Sequence, residues 1–411
     1  MIQGRPELSL DALFDRTAPG WAQIVAALLA LPALLPLTLV MLNVLVWTRG
    51  RPLPTAVRAA PGGISVLIPA RDEVHTIERC VRAAAAARGP VSEIIVYDDG
   101  STDGTTEVLA RLRAELPQLR VIRGEALPPG WVGKPHALHR LSEAAGAEVL
   151  LHLDADVALR PEGVLRMLSL LGTPDQVPGG LNAAAVTAVP RQHTGGLAER
   201  VMMPLLHLSY VAWLPMPLIH RTRDPRVLAA NGQLLLVRRS ALDAIGGWQR
   251  VRTELVDDMA VCREIKRRGG RVVFADGDEM ADCRMYVDAA SLRHGFAKNF
   301  YEGIGGHPLA MMLVMALHLT LFVVPFIALL IAAVFGAWGL AAAAAVGVVA
   351  NLLLRLIMAV RYHHSVGSVV LHPVAVLLMM GILFESYQWS RRGDIRWRGR
   401  SYRARATREA T

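Results

Sequence analysis

Glu148-Val149-Leu150-Leu151-His152-Leu153-Asp154-Ala155-Asp156 is the stretch from which the rest of this chain is read. A short, almost continuously apolar run is the mark of a strand buried on both faces. This one stops abruptly in two carboxylates that flank a single alanine. Acids so placed at a strand end can reach a common point. Hard cations such as Mg²⁺ or Mn²⁺ prefer such oxygens and complete their shell with water and substrate phosphate. Asp154 and Asp156 are therefore the expected metal ligands. An isolated Asp-x-Asp is common, so its weight depends on its surroundings.

Those surroundings repeat a pattern. Strand-like runs appear at Ile64–Pro69, Glu93–Tyr97, Gln233–Val237 and Arg271–Ala275. Helical patterns at Thr76–Arg88, Gly104–Leu116 and Lys134–Ala145 separate the earlier strands. Alternation of this kind predicts an α/β fold with a mostly parallel sheet covered on both faces, and ligands at the carboxyl ends of its strands. The first strand runs into Pro69-Ala70-Arg71-Asp72-Glu73, which by itself reads as a charged loop before a helix. The second runs into Asp98-Asp99-Gly100-Ser101-Thr102-Asp103-Gly104. A doubled acid, a glycine and hydroxyls at a strand-to-helix turn suit a nucleoside, whose base N–H and ribose hydroxyls a carboxylate can accept; an ordinary capping-rich turn would look similar. Farther on, Glu254-Leu255-Val256-Asp257-Asp258 precedes an amphipathic helix, Met259–Arg268. The acids there either serve the helix dipole or supply a general base.

Composition adds a membrane. The 411 residues are 53% hydrophobic, and the mean hydropathy of +0.35 exceeds that of an ordinary soluble enzyme. Trp21–Trp47 is uncharged and long enough to cross a bilayer. Arg49, Arg51 and Arg58 follow it, which places the next segment in the cytoplasm by the positive-inside rule. The expected organisation is a tail and anchor over 1–58 (span about 21–47), a cytoplasmic catalytic domain over 60–306, a membrane region over 307–390 and a basic tail over 391–411. Within the membrane region the expected segments are Leu309–Trp338, Gly339–Val360 and a shorter Val369–Phe384, read as re-entrant or interfacial because three crossings would put the tail on the wrong side. Arg355 is expected to face protein or to snorkel. The net charge of +9 is concentrated from Arg391 to Arg408, where eight arginines meet one aspartate. That run fits anionic lipid headgroups better than nucleic acid, since no base-reading motif accompanies it. Cys80, Cys262 and Cys283 match neither a disulfide framework nor a zinc pattern. His136, His139, His152, His294 and His307 lack mutual ligand spacing.

In its order of motifs, from about Ile64 to Tyr301, the chain resembles the family 2 glycosyltransferases, an inverting class with a Rossmann-like GT-A nucleotide-sugar-binding domain. The resemblance implies a donor set of Pro69, Arg71, Asp72, Glu73, Asp98, Asp99, Lys134 and Asp154, and a Mg²⁺ or Mn²⁺ ion on Asp154 and Asp156. It also implies Asp258 as catalytic base, supported by Asp257. Gly130-Trp131-Val132-Gly133-Lys134 is similar to an element of membrane-bound relatives acting on hopanoids and carotenoid acids, and Lys134 is one of only three lysines in the chain. Asn231-Gly232-Gln233 and Gly246-Gly247-Trp248 fall where relatives form the acceptor pocket, giving Gly232, Gln233 and Trp248 as acceptor residues, with Trp248 equally readable as core. Processive synthases carry Gln-x-x-Arg-Trp after the base, and Arg293–Tyr301 lacks it. The expected activity is transfer of one sugar from a nucleotide-sugar donor to a membrane lipid of hopanoid or carotenoid type, at the cell membrane. Rival expectations are a polyprenyl-phosphate sugar transferase, a short polysaccharide synthase and a non-catalytic membrane scaffold.

Overall fold

The fold is described from a computed structural model covering residues 20–50, 63–172, 180–393, 395–397 and 400–402, with side chains described from 31 to 393. The side chains of the basic tail beyond Gly393, and residues Arg51 and Arg58 of the positive-inside argument, lie outside the described residues.

The chain forms helix α1 (Gly20–Val46) and then alternates strands and helices: β1 (Ile64–Ala70), α2 (Ile77–Ala86), β2 (Val91–Asp98), α3 (Thr105–Glu115), β3 (Leu119–Arg123), α4 (Gly133–Ala144) and β4 (Val149–Leu153). A second set follows: β5 (Val157–Leu159), α5 (Gly163–Leu171), β6 (Ala185–Gln192), α6 (Leu197–Met202), α7 (Pro204–Val211), α8 (Met216–Arg221), β7 (Leu234–Arg238), α9 (Arg239–Ala244), α10 (Asp257–Arg267) and β8 (Val272–Cys283). The apolar third comprises α11 (Ala289–Gly303), α12 (Pro308–Phe322), α13 (Val324–Val334), α14 (Trp338–Arg361) and α15 (His372–Arg392).

One sheet of eight strands runs in the order β3-β2-β1-β4-β7-β6-β8-β5. Pairing is parallel from β3 to β4 and again between β6 and β8, while β7 runs antiparallel to both β4 and β6. Side chains of a strand alternate between faces, and the two faces collect separate cores. Ile64, Val66 and Ile68 join Ile94, Val96 and Leu151 on the face covered by α2, α3 and α5. Leu67, Ile95, Tyr97 and Leu150 pack on the other face with α4 and α10. Burial on both sides explains why these strands read as unbroken apolar runs.

A third core joins the sheet's β6–β8 side to the apolar helices: Phe274 and Val189 share it with Trp47, Leu205, Tyr286, Phe296, Phe322, Met358 and Leu383. Polar ties fix this junction. The Trp47 indole donates to the Phe274 carbonyl (3.0 Å), and Asn43 donates to the Val211 and Leu214 carbonyls (2.8 and 2.6 Å). Asp276, 2% exposed, is paired with Arg49 at 3.4 Å and with Arg361.

The expected membrane segments need correction. Leu309–Trp338 is not one helix. It divides at Val323 into α12 and α13, with Pro325 in the first turn of α13, where proline costs no hydrogen bond. Val369–Phe384 is part of a longer helical stretch, Val366–Arg392, because Pro373 falls in the first turn of α15 and does not interrupt it. Among the described residues, Trp338–Arg361 and Val366–Arg392 are long and apolar enough to cross a membrane; α11 and α12, bent by 116°, would together make a third. Arg355 is fully buried in protein.

Candidate active site

Two of the acidic motifs, Asp98-Asp99 at the end of β2 and Asp154-Ala155-Asp156 after β4, lie at carboxyl ends of strands, where the sheet rule places ligands. Asp154 and Asp156 occupy the turn from β4 to β5. Its backbone is pinned by the Asp154 N–H donating to the Gln233 carbonyl (3.2 Å) and by the Val157 N–H donating to the Asp154 carbonyl (3.0 Å). Asp257 and Asp258 are the first two residues of α10, where the helix dipole favours negative charge. The expected helix started two residues later, so the acids belong to its first turn. Gly133 and Lys134 open α4.

A cavity of about 690 Å³ connects them. Its wall includes Pro69, Arg71, Glu73 and Asp99 at one end, Lys134, Asp154, Asp156, Gly232, Gln233, Asp257 and Asp258 in the middle, and Tyr210, Trp213, Phe296, Val314, Leu317, His318, Met379 and Leu383 at the other. The Lys134 ammonium sits 2.6 Å from Asp154 Oδ1. It also faces Asp257 and Asp258, and although burial opposes its charge, Asp154 first and then these two acids hold it protonated above its ordinary value. Asp258 accepts from the Met259 N–H (2.8 Å) and from the Gly232 backbone. Burial pushes up the Asp257 and Asp258 carboxyls, Asp257 to about 6, while Lys134 pulls both down.

Asp156 bears on the metal. Burial first, then the charge of Asp154, push its carboxyl up to about 7. Its Oδ1 is buried and accepts no hydrogen bond among the described residues. An orphaned carboxylate oxygen beside a second carboxylate fits a divalent cation, which would relieve both penalties at once. No group of three or more His, Cys, Asp and Glu residues gathers around one point among the described residues. The protein thus offers two carboxylates and leaves the remaining positions to water and a ligand's phosphates, in keeping with the coordination habits of Mg²⁺.

The doubled acid after β2 divides its labour. Asp99 reaches the cavity wall, while the Asp98 carboxylate turns into its own loop, accepting from the Ser101 N–H (3.0 Å) and the Thr106 hydroxyl (2.6 Å). Asp72, at φ 53°, accepts from the Thr102 N–H (2.8 Å) and so clips the first loop to the second. Arg71 donates to the Asp99 carbonyl (2.5 Å), and Glu73 accepts from the Thr76 hydroxyl (2.7 Å). Asp72 and Asp98, expected to touch the donor, hold the loops that carry Arg71, Glu73 and Asp99; neither lines the cavity.

Gly232 and Gln233, the expected acceptor residues, are in the wall. Gln233 Nε2 donates to Cys283 Sγ (3.0 Å), and its Oε1 accepts from Gln192 (3.0 Å). Trp248 is corrected to core: it is 1% exposed, packs edge-on against His152 and donates to His152 Nε2 (3.3 Å), behind the sheet. Sequence reading passed over Tyr210 and Trp213, because Leu197–Arg221 breaks into short proline-punctuated helices without a clear period. The three cysteines are free and buried.

A family model described as "Glycosyltransferase like family 2" matches residues 61–297. The chain belongs to that family. The glycosyltransferase is 28% identical over 203 residues to a beta-monoglucosyldiacylglycerol synthase of Nostoc sp., an alignment covering 48% of this chain and 39% of the relative. It is 24% identical over 226 residues to a poly-beta-1,6-N-acetyl-D-glucosamine synthase of Staphylococcus aureus, covering 55% and 50%. The chain therefore spans half or less of the length of these relatives. Its fold is similar to that of a mannosyltransferase from Pyrobaculum calidifontis solved with GDP-Man and Mn²⁺, at TM-score 0.52 and 19% identity over 89% of this chain and 98% of that one.

Proposed function

We propose that this glycosyltransferase moves a single sugar, with inversion, from a nucleotide-sugar donor to the hydroxyl of a membrane lipid. The observation that carries the reading is the continuity of the cavity. One wall bears Asp154, Asp156 and Asp258, and the same space continues over Val314, Leu317, Met379 and Leu383 of the apolar helices α12 and α15. A lipid reaching in from a bilayer would bring its polar end to the carboxylates while its chain stayed on apolar side chains. Hopanoid, carotenoid and glycerolipid acceptors all have that shape, and the name of the Nostoc relative points to the last class.

In the reaction the acceptor oxygen attacks the anomeric carbon and gives its proton to the Asp258 carboxylate. The bond from that carbon to the diphosphate breaks on the opposite face, and the nucleoside diphosphate leaves with the electron pair. Met259 and Gly232 N–H groups fix the Asp258 carboxylate, and Asp257 supports it from the same helix turn. Arg71, Glu73 and Asp99 would face the nucleoside, with Pro69 completing that wall. Lys134 would add positive charge beside the departing diphosphate. Asp154 and Asp156 would hold a Mg²⁺ or Mn²⁺ ion, which supplies Lewis-acid neutralisation of the leaving group. Gly232 and Gln233 line the acceptor's approach. The catalytic unit, 60–306, would sit on the cytoplasmic face of the cell membrane, with 307–390 in the bilayer and the arginine-rich end near anionic headgroups.

The test is to incubate the purified full chain, Mn²⁺, a panel of nucleotide sugars and a membrane lipid extract, then identify the product by mass spectrometry and its anomeric configuration by NMR. A glycolipid carrying one sugar of inverted configuration is expected. A sugar polymer as the sole product, or retained configuration, would overturn the reading.

A further inference from the structure

The lipid end of the cavity contains a polar group that no part of the proposed chemistry uses. Trp213 lies just past the end of α7, and its Nε1 is buried without a hydrogen-bond partner among the described residues. An indole N–H can only donate, and a buried donor left unpaired is costly enough that it normally finds an acceptor. The neighbouring donors are already committed. The Tyr210 hydroxyl donates to the Ala230 carbonyl (3.3 Å), and His318 donates through Nδ1 to the Val314 carbonyl (2.8 Å). Trp213 packs against His318 (5.0 Å between ring centroids) and Phe322 (5.9 Å), which fixes the ring. A second orphan in the same wall is Asn299 Oδ1 on α11. A half-turn of that amide exchanges its acceptor and donor ends.

Position tells what these groups await. Tyr210 lies within the electrostatic reach of Asp258. Trp213 follows one turn later, its backbone N–H donating to the Tyr210 carbonyl (3.4 Å). Trp213 therefore stands about one helical turn, roughly 5 Å along the backbone, beyond a residue that feels the Asp258 charge, and in the wall of the same cavity. A three-carbon glycerol backbone spans such a distance between its free hydroxyl and its ester carbonyls. A lipid whose only oxygen is the reacting hydroxyl spends that group at Asp258 and leaves Trp213 unpaired.

We infer that Trp213 is an acceptor-specificity residue, and that the acceptor is a glycerolipid whose ester carbonyl accepts a hydrogen bond from Trp213 Nε1. The Asn299 amide, turned to present its NH₂, meets the second ester. The acyl chains then leave along Leu317, Met379 and Leu383. This inference rests on the lipid-acceptor reading above and narrows it to one class.

The experiment compares four acceptors in detergent micelles with the purified full chain: a 1,2-diacylglycerol, the 1,2-dialkylglycerol that lacks only the carbonyls, a long-chain alcohol and a polyprenyl phosphate. The expected result is a KM about tenfold lower for the diester than for the diether, with similar kcat, because the lost contact lies away from the reacting atoms. Trp213→Phe keeps an aromatic ring and removes the donor, so it should bring the diester down to the diether. Equal use of diester and diether by the unmodified enzyme refutes the inference. So does an undiminished preference in Trp213→Phe, or an alcohol or polyprenyl phosphate used as well as the diester. If the variant does not fold, the ester-to-ether ratio of the unmodified enzyme decides alone. Failure of the underlying reading looks different: none of the four lipids is glycosylated, and a sugar polymer forms instead.

Discussion

Gly232→Ala is the sharpest probe of the arrangement, because one added methyl group touches both the proposed base and the lysine that faces it. A Cβ at position 232 would lie 3.2 Å from Asp258 Cβ, 3.4 Å from Asp258 Cγ and 3.3 Å from Lys134 Nζ. These are tighter than ordinary contacts, so the neighbours must give by a few tenths of an ångström. The Gly232 backbone is not in the left-handed region, so alanine adds no backbone strain there. Lys134 can swing away only by loosening its 2.6 Å contact with Asp154. Asp258 cannot swing far, since it is rooted in the first turn of α10 and accepts from the Met259 N–H. A displacement of about 1 Å at a reacting group costs on the order of 100-fold. A few tenths should therefore lower kcat about four- to tenfold. Overpacking and the lower entropy of an unfolded alanine chain act in opposite directions, each about 1 kcal/mol, leaving the melting temperature within a few degrees. The assay is single-sugar transfer from a radiolabelled nucleotide sugar, with thermal unfolding of the same preparation. An undiminished kcat would refute the placement of Asp258 at the reacting centre, and loss of activity together with loss of folding would remove the argument's basis.

Asp258→Asn should reduce transfer at least about 100-fold, the usual scale for a lost acid–base group, and Asp154→Ala should abolish it by removing a ligand of the proposed Lewis-acid ion, while membrane expression and thermal unfolding remain near those of the parent; full activity of Asp258→Asn would exclude it as the base. Chelation by EDTA should abolish transfer, and Mn²⁺ or Mg²⁺ should restore it, whereas turnover in excess EDTA would remove the metal from Asp154 and Asp156. Transfer should fail on the acid side as the Asp257–Asp258 pair takes up a proton above the ordinary carboxylate range, Asp257 near 6. Lys134 lowers both carboxyls, so in the pH profile of kcat/KM, Lys134→Met should move that limb to higher pH; a shift to lower pH would contradict the geometry. Trp248→Phe should cost about 1 kcal/mol of stability through the lost bond to His152 and leave the acceptor KM unchanged, and a raised KM without destabilisation would return Trp248 to the acceptor site.

The sequence by itself determined the parallel half of the sheet and pointed to where the chemistry is proposed. The strands β1, β2 and β4 are buried on both faces, so each had to be an uninterrupted apolar run. β2 and β4 end in acids that no core would accept, which marks Asp98, Asp99, Asp154 and Asp156 in the sequence alone. What local pattern could not decide is direction and company. The acids at 98 and 99 are equivalent in sequence, yet the pleat and the turn send one into the loop and the other to the cavity. Trp248 follows a glycine pair that resembles an acceptor element, but packing of α4 and α10 encloses it. Val323 breaks a hydrophobic run that composition cannot distinguish from a single span. Above all, the meeting of Asp154, Lys134 and Asp258, and the continuation of their cavity past Trp213 to Met379, require β7 to run antiparallel beside β4 and the apolar helices to close over α7. Such contacts join segments far apart in the chain, and a one-dimensional pattern carries no record of them.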